Sequence, residues 1–172
     1  MGRGRLNEKP GVWKGSQKGQ EGLLSAIAVG FVFILIGIIY ISTPSLWDSV
    51  VAFFSNLIAS TVPGTEIYLP MPTDPNAHAV FYGALFRLCL GVGILQTIIL
   101  ALRFVLQSSI SKTAETVGNL VFWFGATYLV STYLNETTDV NSWFIFWTGI
   151  LMILGLSLIA RALVLLARRV RR

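Results

Sequence analysis

The sequence predicts an all-α integral membrane protein, a four-helix bundle with an outer amphipathic helix between spans 1 and 2. Of its 172 residues 54% are apolar and only 12% charged, against about a quarter charged in an ordinary soluble domain. Four stretches, about 23–41, 79–102, 117–134 and 143–160, reach the roughly 17–25 residues that a helix needs to cross about 30 Å of hydrocarbon. The basic residues that flank these stretches fall on one side of such a membrane. Arg3, Arg5, Lys9, Lys14 and Lys18 precede span 1, Arg103 and Lys112 join spans 2 and 3, and Arg161, Arg168, Arg169, Arg171 and Arg172 close the chain. Asp48, Glu66, Asp74, Glu136 and Asp139 fall on the other side. The basic side sums to +9, the acidic side to −5, and Arg87 within span 2 supplies the remaining +1. The positive-inside rule then predicts a multi-pass protein of the cell membrane with both termini cytoplasmic. Split in this way, the net charge of +5 gives no reason to expect a nucleic-acid partner.

Residues 1–22 contain six glycines among scattered Lys, Gln and Ser. That composition buries too little surface to offset chain entropy and predicts a mobile basic cytoplasmic tail. Residues 23–166 form a single transmembrane domain. Span 1 is long, comes after more than twenty residues and ends without an A-x-A site, so it reads as a membrane helix rather than a cleaved leader. Ala26, Gly30 and Gly37 give this span a small-residue face, and Gly118 and Gly125 repeat the seven-residue spacing in span 3. Such faces let helices approach closely in lipid, where hydrophobicity supplies no drive for association. The simplest expectation is that spans 1 and 3 pack on each other, with a seam for a partner or a second copy as the alternative.

The outer cap, residues 42–78, has two expected parts. From Leu46 to Val62 the apolar residues Leu46, Val50, Phe53, Phe54, Leu57 and Ile58 recur at helical spacing, which predicts an amphipathic helix lying on the membrane or docked on the bundle. Ser45 and Asp48 are spaced as a capping box, and Pro63-Gly64 ends the pattern. Pro63, Pro70, Pro72 and Pro75 then predict stiffened loop rather than regular structure. Asp74-Pro75 reads as the N-cap and first residue of the next helix. Spans 3 and 4 are joined by a short outer turn, 135–142, whose Asn135-Glu136-Thr137 matches a glycosylation sequon. Tyr40, Tyr82, Tyr133, Trp143 and Trp147 all fall at outer ends of spans, as an interfacial aromatic belt would. The fourth helix is expected to run past Arg161 into a basic cytoplasmic end, 167–172. Arg161, Arg168, Arg169, Arg171 and Arg172 there could meet acidic lipid or a cytosolic partner.

Chemistry is thinly represented. Arg87 is the one charge inside a span and is the candidate for a ligand or ion site, with snorkelling or a pair with Asp74, Glu66, Glu136 or Asp139 as the structural reading. His78 is the only histidine and Cys89 the only cysteine, which is too little for a metal centre or an intramolecular disulfide. A Ser-His-Asp set, a Cys-x-x-Cys pair, paired haem histidines and a phosphate-binding glycine loop are all missing from the sequence. No cofactor, metal or catalytic residue is therefore expected. The sequence reads as a non-enzymatic accessory or assembly subunit of a larger membrane complex. The alternative is a small homo-oligomeric channel or carrier, lined by Gln96, Asn119 and Thr127, in which Arg87 favours an anion.

Overall fold

The computed structural model describes the backbone of residues 12–170 and the side chains of 22–167. The described chain is mainly helical. Helix α1 spans Val12–Ser42, α2 Leu46–Ser55, α3 Ala79–Val105, α4 Ile110–Tyr133 and α5 Val140–Val170. Two short strands, β1 (Leu57–Thr61) and β2 (Tyr68–Pro72), and a single 3-10 turn, Pro75–His78, lie between α2 and α3. The helix α1 takes in residues 12–22, where composition pointed to a chain without regular structure, while residues 1–11 lie outside the described part. Three of the long helices, over Gly22–Ser42, Pro75–Val105 and Val140–Ala167, are long and apolar enough to cross a membrane. The chain is thus compatible with membrane insertion.

Helix α4, at 24 residues, is shorter than its neighbours of 27 and 31 and less apolar, and its position explains how it stays helical in their company. It packs against α3 and α5, and α1 packs on α3. Its buried threonines satisfy themselves locally. Thr113 donates to Ser109 O (3.3 Å), Thr116 to Lys112 O (3.0 Å) and Thr127 to Trp123 O (2.8 Å), so none of these three hydroxyl protons is left unbonded.

Close approach between α4 and α5 is made by glycine. A β-carbon added at Gly125 would lie 2.7 Å from Ile153, and one at Gly118 3.1 Å from the backbone oxygen of Ser157 and 3.4 Å from Arg161 Cβ. This corrects the expectation that spans 1 and 3 pack through their glycines. Gly118 and Gly125 face α5, and α1 meets α3 through Leu35, whose side chain occupies the space beside Gly91. Leu24 and Ile39 are the buried apolar residues of α1. At about 100° per residue, Ala26, Gly30 and Gly37 lie roughly opposite the Leu24–Leu35–Ile39 stripe. A β-carbon at Gly30 or Gly37 would meet nothing within 4 Å.

The cap differs from expectation in its second half. The amphipathic helix stops at Ser55, seven residues short of Val62, and 57–61 pair antiparallel with 68–72. The apolar pair Leu57-Ile58 fits a helical and an extended pattern equally, and the Ala-Ser-Thr run ahead of Pro63-Gly64 favours a hairpin whose turn needs Gly64 at φ +78°. Pro70 and Pro72 do not prevent the pairing. The bonds Val62 N–H to Ile67 O (2.8 Å) and Thr73 N–H to Asn56 O (2.9 Å) bracket the ladder. Alternation then makes Ile58↔Met71 and Ser60↔Leu69 the bonded pairs and leaves both prolines at positions whose nitrogens face outward. Ser45 adopts φ 55° and makes no side-chain cap to α2, and Asp74 likewise makes none to the 3-10 turn after it.

The cap is clamped to the helices by an aromatic cluster. Phe53 of α2 stacks on Phe81 at 4.5 Å and lies 6.0 Å from Trp143 of α5. The Trp143 indole N–H donates to the outward carbonyl of Pro70 at 3.0 Å, so one side chain joins β2 to α5. At the start of α5, Asp139 accepts the backbone N–H of Ser142 at 2.7 Å, the geometry of an N-cap. Hydrogen bonds from Ser142, first its side chain and then its backbone, hold the Asp139 carboxyl below the usual carboxylate range. Because that pKa is depressed, the cap contributes fully above the unfolded value of about 3.9. The contribution is lost as pH falls through the folded value. Acidification through this window is expected to fray the first turn of α5, read as lower amide protection factors, corrected for the intrinsic exchange rate, at 140–143. Asp139→Asn, which keeps a capping oxygen, should make protection there insensitive to pH.

Candidate functional site

Each candidate from the sequence has a definite place. Arg87, exposed near the cap end of α3, donates from Nη1 to the Thr43 hydroxyl at 2.8 Å. No carboxylate pairs with it among the described residues. Thr43 is buried and lies just beyond the end of α1, so the bond ties the exit of α1 to α3. His78 is 5% exposed with Nε2 unpartnered, and the Tyr82 hydroxyl beside it is likewise buried without a partner. Both rings lie against Phe53, and Tyr82 also meets Phe81 and Trp143. Cys89 is buried in the same apolar core. Among the described residues no three His, Cys, Asp or Glu side chains converge as a metal site. The Asn135 side chain is engaged at both ends, accepting from Thr137 N–H (2.8 Å) and Thr137 Oγ1 (2.6 Å) and donating to Thr132 O (3.2 Å). Arg161 is exposed on α5, and the side chains of Arg168, Arg169, Arg171 and Arg172 lie outside the described residues.

The most polar concavity is at the opposite end of the helices from the cap. A cavity of about 260 Å³ lies between α1, α3 and α4, with Gln96 and Arg103 from α3, Lys112, Glu115, Thr116 and Asn119 from α4, and Ser25 from α1 on its walls. The spacing explains the convergence. Gln96 and Arg103 are two turns apart on one face of α3, and Lys112, Thr116 and Asn119 occupy the i, i+4, i+7 positions of α4. Lys112 and Glu115 pair at 3.2 Å with both side chains near 45% exposed, so that bridge is solvated and weak. Arg103 is different. Its Nε and Nη1 are buried and no partner meets either. The amides of Gln96 and Asn119 make no hydrogen bond among the described residues. With Lys112 offset by Glu115, Arg103 is the uncompensated charge of the cavity.

Sequence reasoning missed this site because it counted Arg103 and Lys112 as topology markers and grouped Gln96 and Asn119 with Thr127 only as the lining of a possible pore. The seven-residue spacings were the available signal. A different cavity, of about 310 Å³, is lined by Phe53, Phe81, Tyr82, Trp143, Phe146 and Trp147 with aliphatic neighbours and offers no charged group. Compared with protein-family models, curated proteins and solved structures, the chain matches none, and its site stands on its own geometry.

Proposed function

We propose that this chain is a non-enzymatic, four-span membrane protein, with both ends cytoplasmic, that serves as an accessory or assembly subunit of a larger membrane complex. Helix α4 counts as the fourth span on this reading, because Thr113, Thr116 and Thr127 are buried and bonded within the helix rather than offered to lipid. The hairpin and α2 form the outer cap, and the Arg103 end faces the cytoplasm, in keeping with the distribution of basic residues.

The observation that carries the docking role is the open small-residue face of α1. Gly118 and Gly125 are filled by α5 and Gly91 by α1, whereas Gly30 and Gly37 have nothing within 4 Å of an added β-carbon. Around them Val29, Phe33 and Ile34 are exposed. A helix partner can therefore reach the α1 backbone as closely as α5 reaches α4. Gly30→Leu combined with Gly37→Leu is expected to leave the folded chain intact and to abolish co-purification of its partner from native membranes in mild detergent, read by mass spectrometry. Unchanged assembly in that double variant sinks the proposal.

The channel or carrier reading has less behind it. Arg87 is bonded to Thr43, and Thr127 is buried and bonded within its own helix. A particle containing several copies of this chain and no other protein would bring it forward, with anion flux into liposomes and its loss in Arg87→Gln as the deciding measurement.

A further inference from the structure

We infer that the cavity between α1, α3 and α4 binds a phosphate group, presented by the headgroup of an anionic membrane lipid. The inference rests on the membrane reading above. Arg103 and Lys112 set two positive charges on the walls of the cavity against one carboxylate, and that carboxylate, Glu115, pairs with Lys112 and leaves Arg103 without one. A ligand that balances this surplus must carry negative charge and accept hydrogen bonds from these side chains.

The other walls narrow the chemistry. The side-chain amides of Gln96 and Asn119 and the ammonium of Lys112 open onto the same space, and Glu115, held 3.2 Å from Lys112, is the only carboxylate on the walls. Donors that arrive from α3 and α4 at different angles suit a tetrahedral group with several acceptor oxygens better than a planar carboxylate or a single-atom anion. A volume of about 260 Å³ falls just below the roughly 300 Å³ at which pockets for drug-sized ligands begin. It admits a headgroup. Leu23 and Ile27, on the same stretch of α1 as the cavity residues Leu24, Ser25 and Ala28, are exposed. They offer apolar surface along which acyl chains can lie. A lipid is thus favoured over free phosphate as the source.

The test uses the full chain purified in dodecyl maltoside. Its unfolding midpoint is tracked with added dioleoyl-phosphatidylglycerol, with dioleoylglycerol, which has no phosphate, or with inorganic phosphate. Phosphatidylglycerol is expected to raise the midpoint while dioleoylglycerol does not, and Arg103→Gln is expected to weaken the response about tenfold in lipid concentration. Asn119→Leu, at an exposed position, should weaken it without disturbing the fold. A response to inorganic phosphate equal to that of the lipid, and lost in Arg103→Gln, would support the phosphate site and assign it a soluble source. No response to either phosphate compound, or the same response in Arg103→Gln and Asn119→Leu as in the unsubstituted chain, overturns the inference. Release of the chain from membranes by alkaline carbonate would instead count against the membrane reading. Loss of partner binding through Gly30 and Gly37 is read separately from both.

Discussion

Trp143→Ala is expected to lower the stability of the chain by about 3–5 kcal/mol, the cost of removing a large buried aromatic side chain. It should also expose residues 57–72 to protease. Trp143 is 4% exposed and is the point where three elements meet. Its ring lies 6.0 Å from Phe53 of α2, 6.5 Å from Tyr82 of α3 and 6.2 Å from Phe146 of its own helix. Its indole N–H holds Pro70 of β2. Trp143→Phe separates the two contributions. The ring packing largely survives, the bond to Pro70 is lost, and the expected cost is about 1 kcal/mol. Denaturant unfolding in detergent micelles gives the energies, and limited proteolysis gives the hairpin. Protection of 57–72 undiminished in Trp143→Ala would mean that α2 alone holds the hairpin in place.

The second large effect is a contrast between glycines of equal spacing. Gly125→Leu should destabilise the chain by about 1–3 kcal/mol through overpacking, because the first added carbon already meets the β-branched Ile153 at 2.7 Å on two of its atoms. Gly30→Leu, in contact with nothing, should leave the unfolding midpoint where it is. Ile153→Ala combined with Gly125→Leu is expected to recover much of the loss, since it empties the space the leucine needs. A midpoint equally lowered by Gly30→Leu and Gly125→Leu would show that the α1 face is not open in the folded chain.

The long helices were legible because apolar content and length alone define them. Their observed ends lie within a few residues of the expected ones at Ala79 and Tyr133, and α5 runs past Arg161. Pairing was not legible in the same way. The spacing of Gly30/Gly37 and Gly118/Gly125 marks two small faces, but nothing in it says that the second faces α5 and that the first meets none of the described residues. The hairpin was hidden by its prolines, which count against a strand until register shows that Pro70 and Pro72 stand where no N–H is required. Arg87 was read as a ligand or ion candidate, with snorkelling or a pair with an acid as the structural reading, and Thr43, to which it donates, lies 44 residues away with no charge to draw attention. The polar cavity was hidden for a related reason. Arg103 and Lys112 had an adequate explanation as orientation signals, and only the packing of α3 on α4 brings them together with Gln96 and Asn119.

The register of the hairpin also decides what it can recruit. Of the three outward positions on β2, Pro70 and Pro72 have no N–H to offer an added strand, the carbonyl between them is occupied by Trp143, and Tyr68 alone keeps a donor. Strand-by-strand growth, the route by which exposed hairpins polymerise, is disfavoured along that edge. An extended segment that augments this sheet finds a full row of donors only on β1, where Leu57, Ala59 and Thr61 keep outward N–H groups. The two edges of the cap are therefore unequal, and the prolines that obscure its secondary structure in the sequence are what make them so.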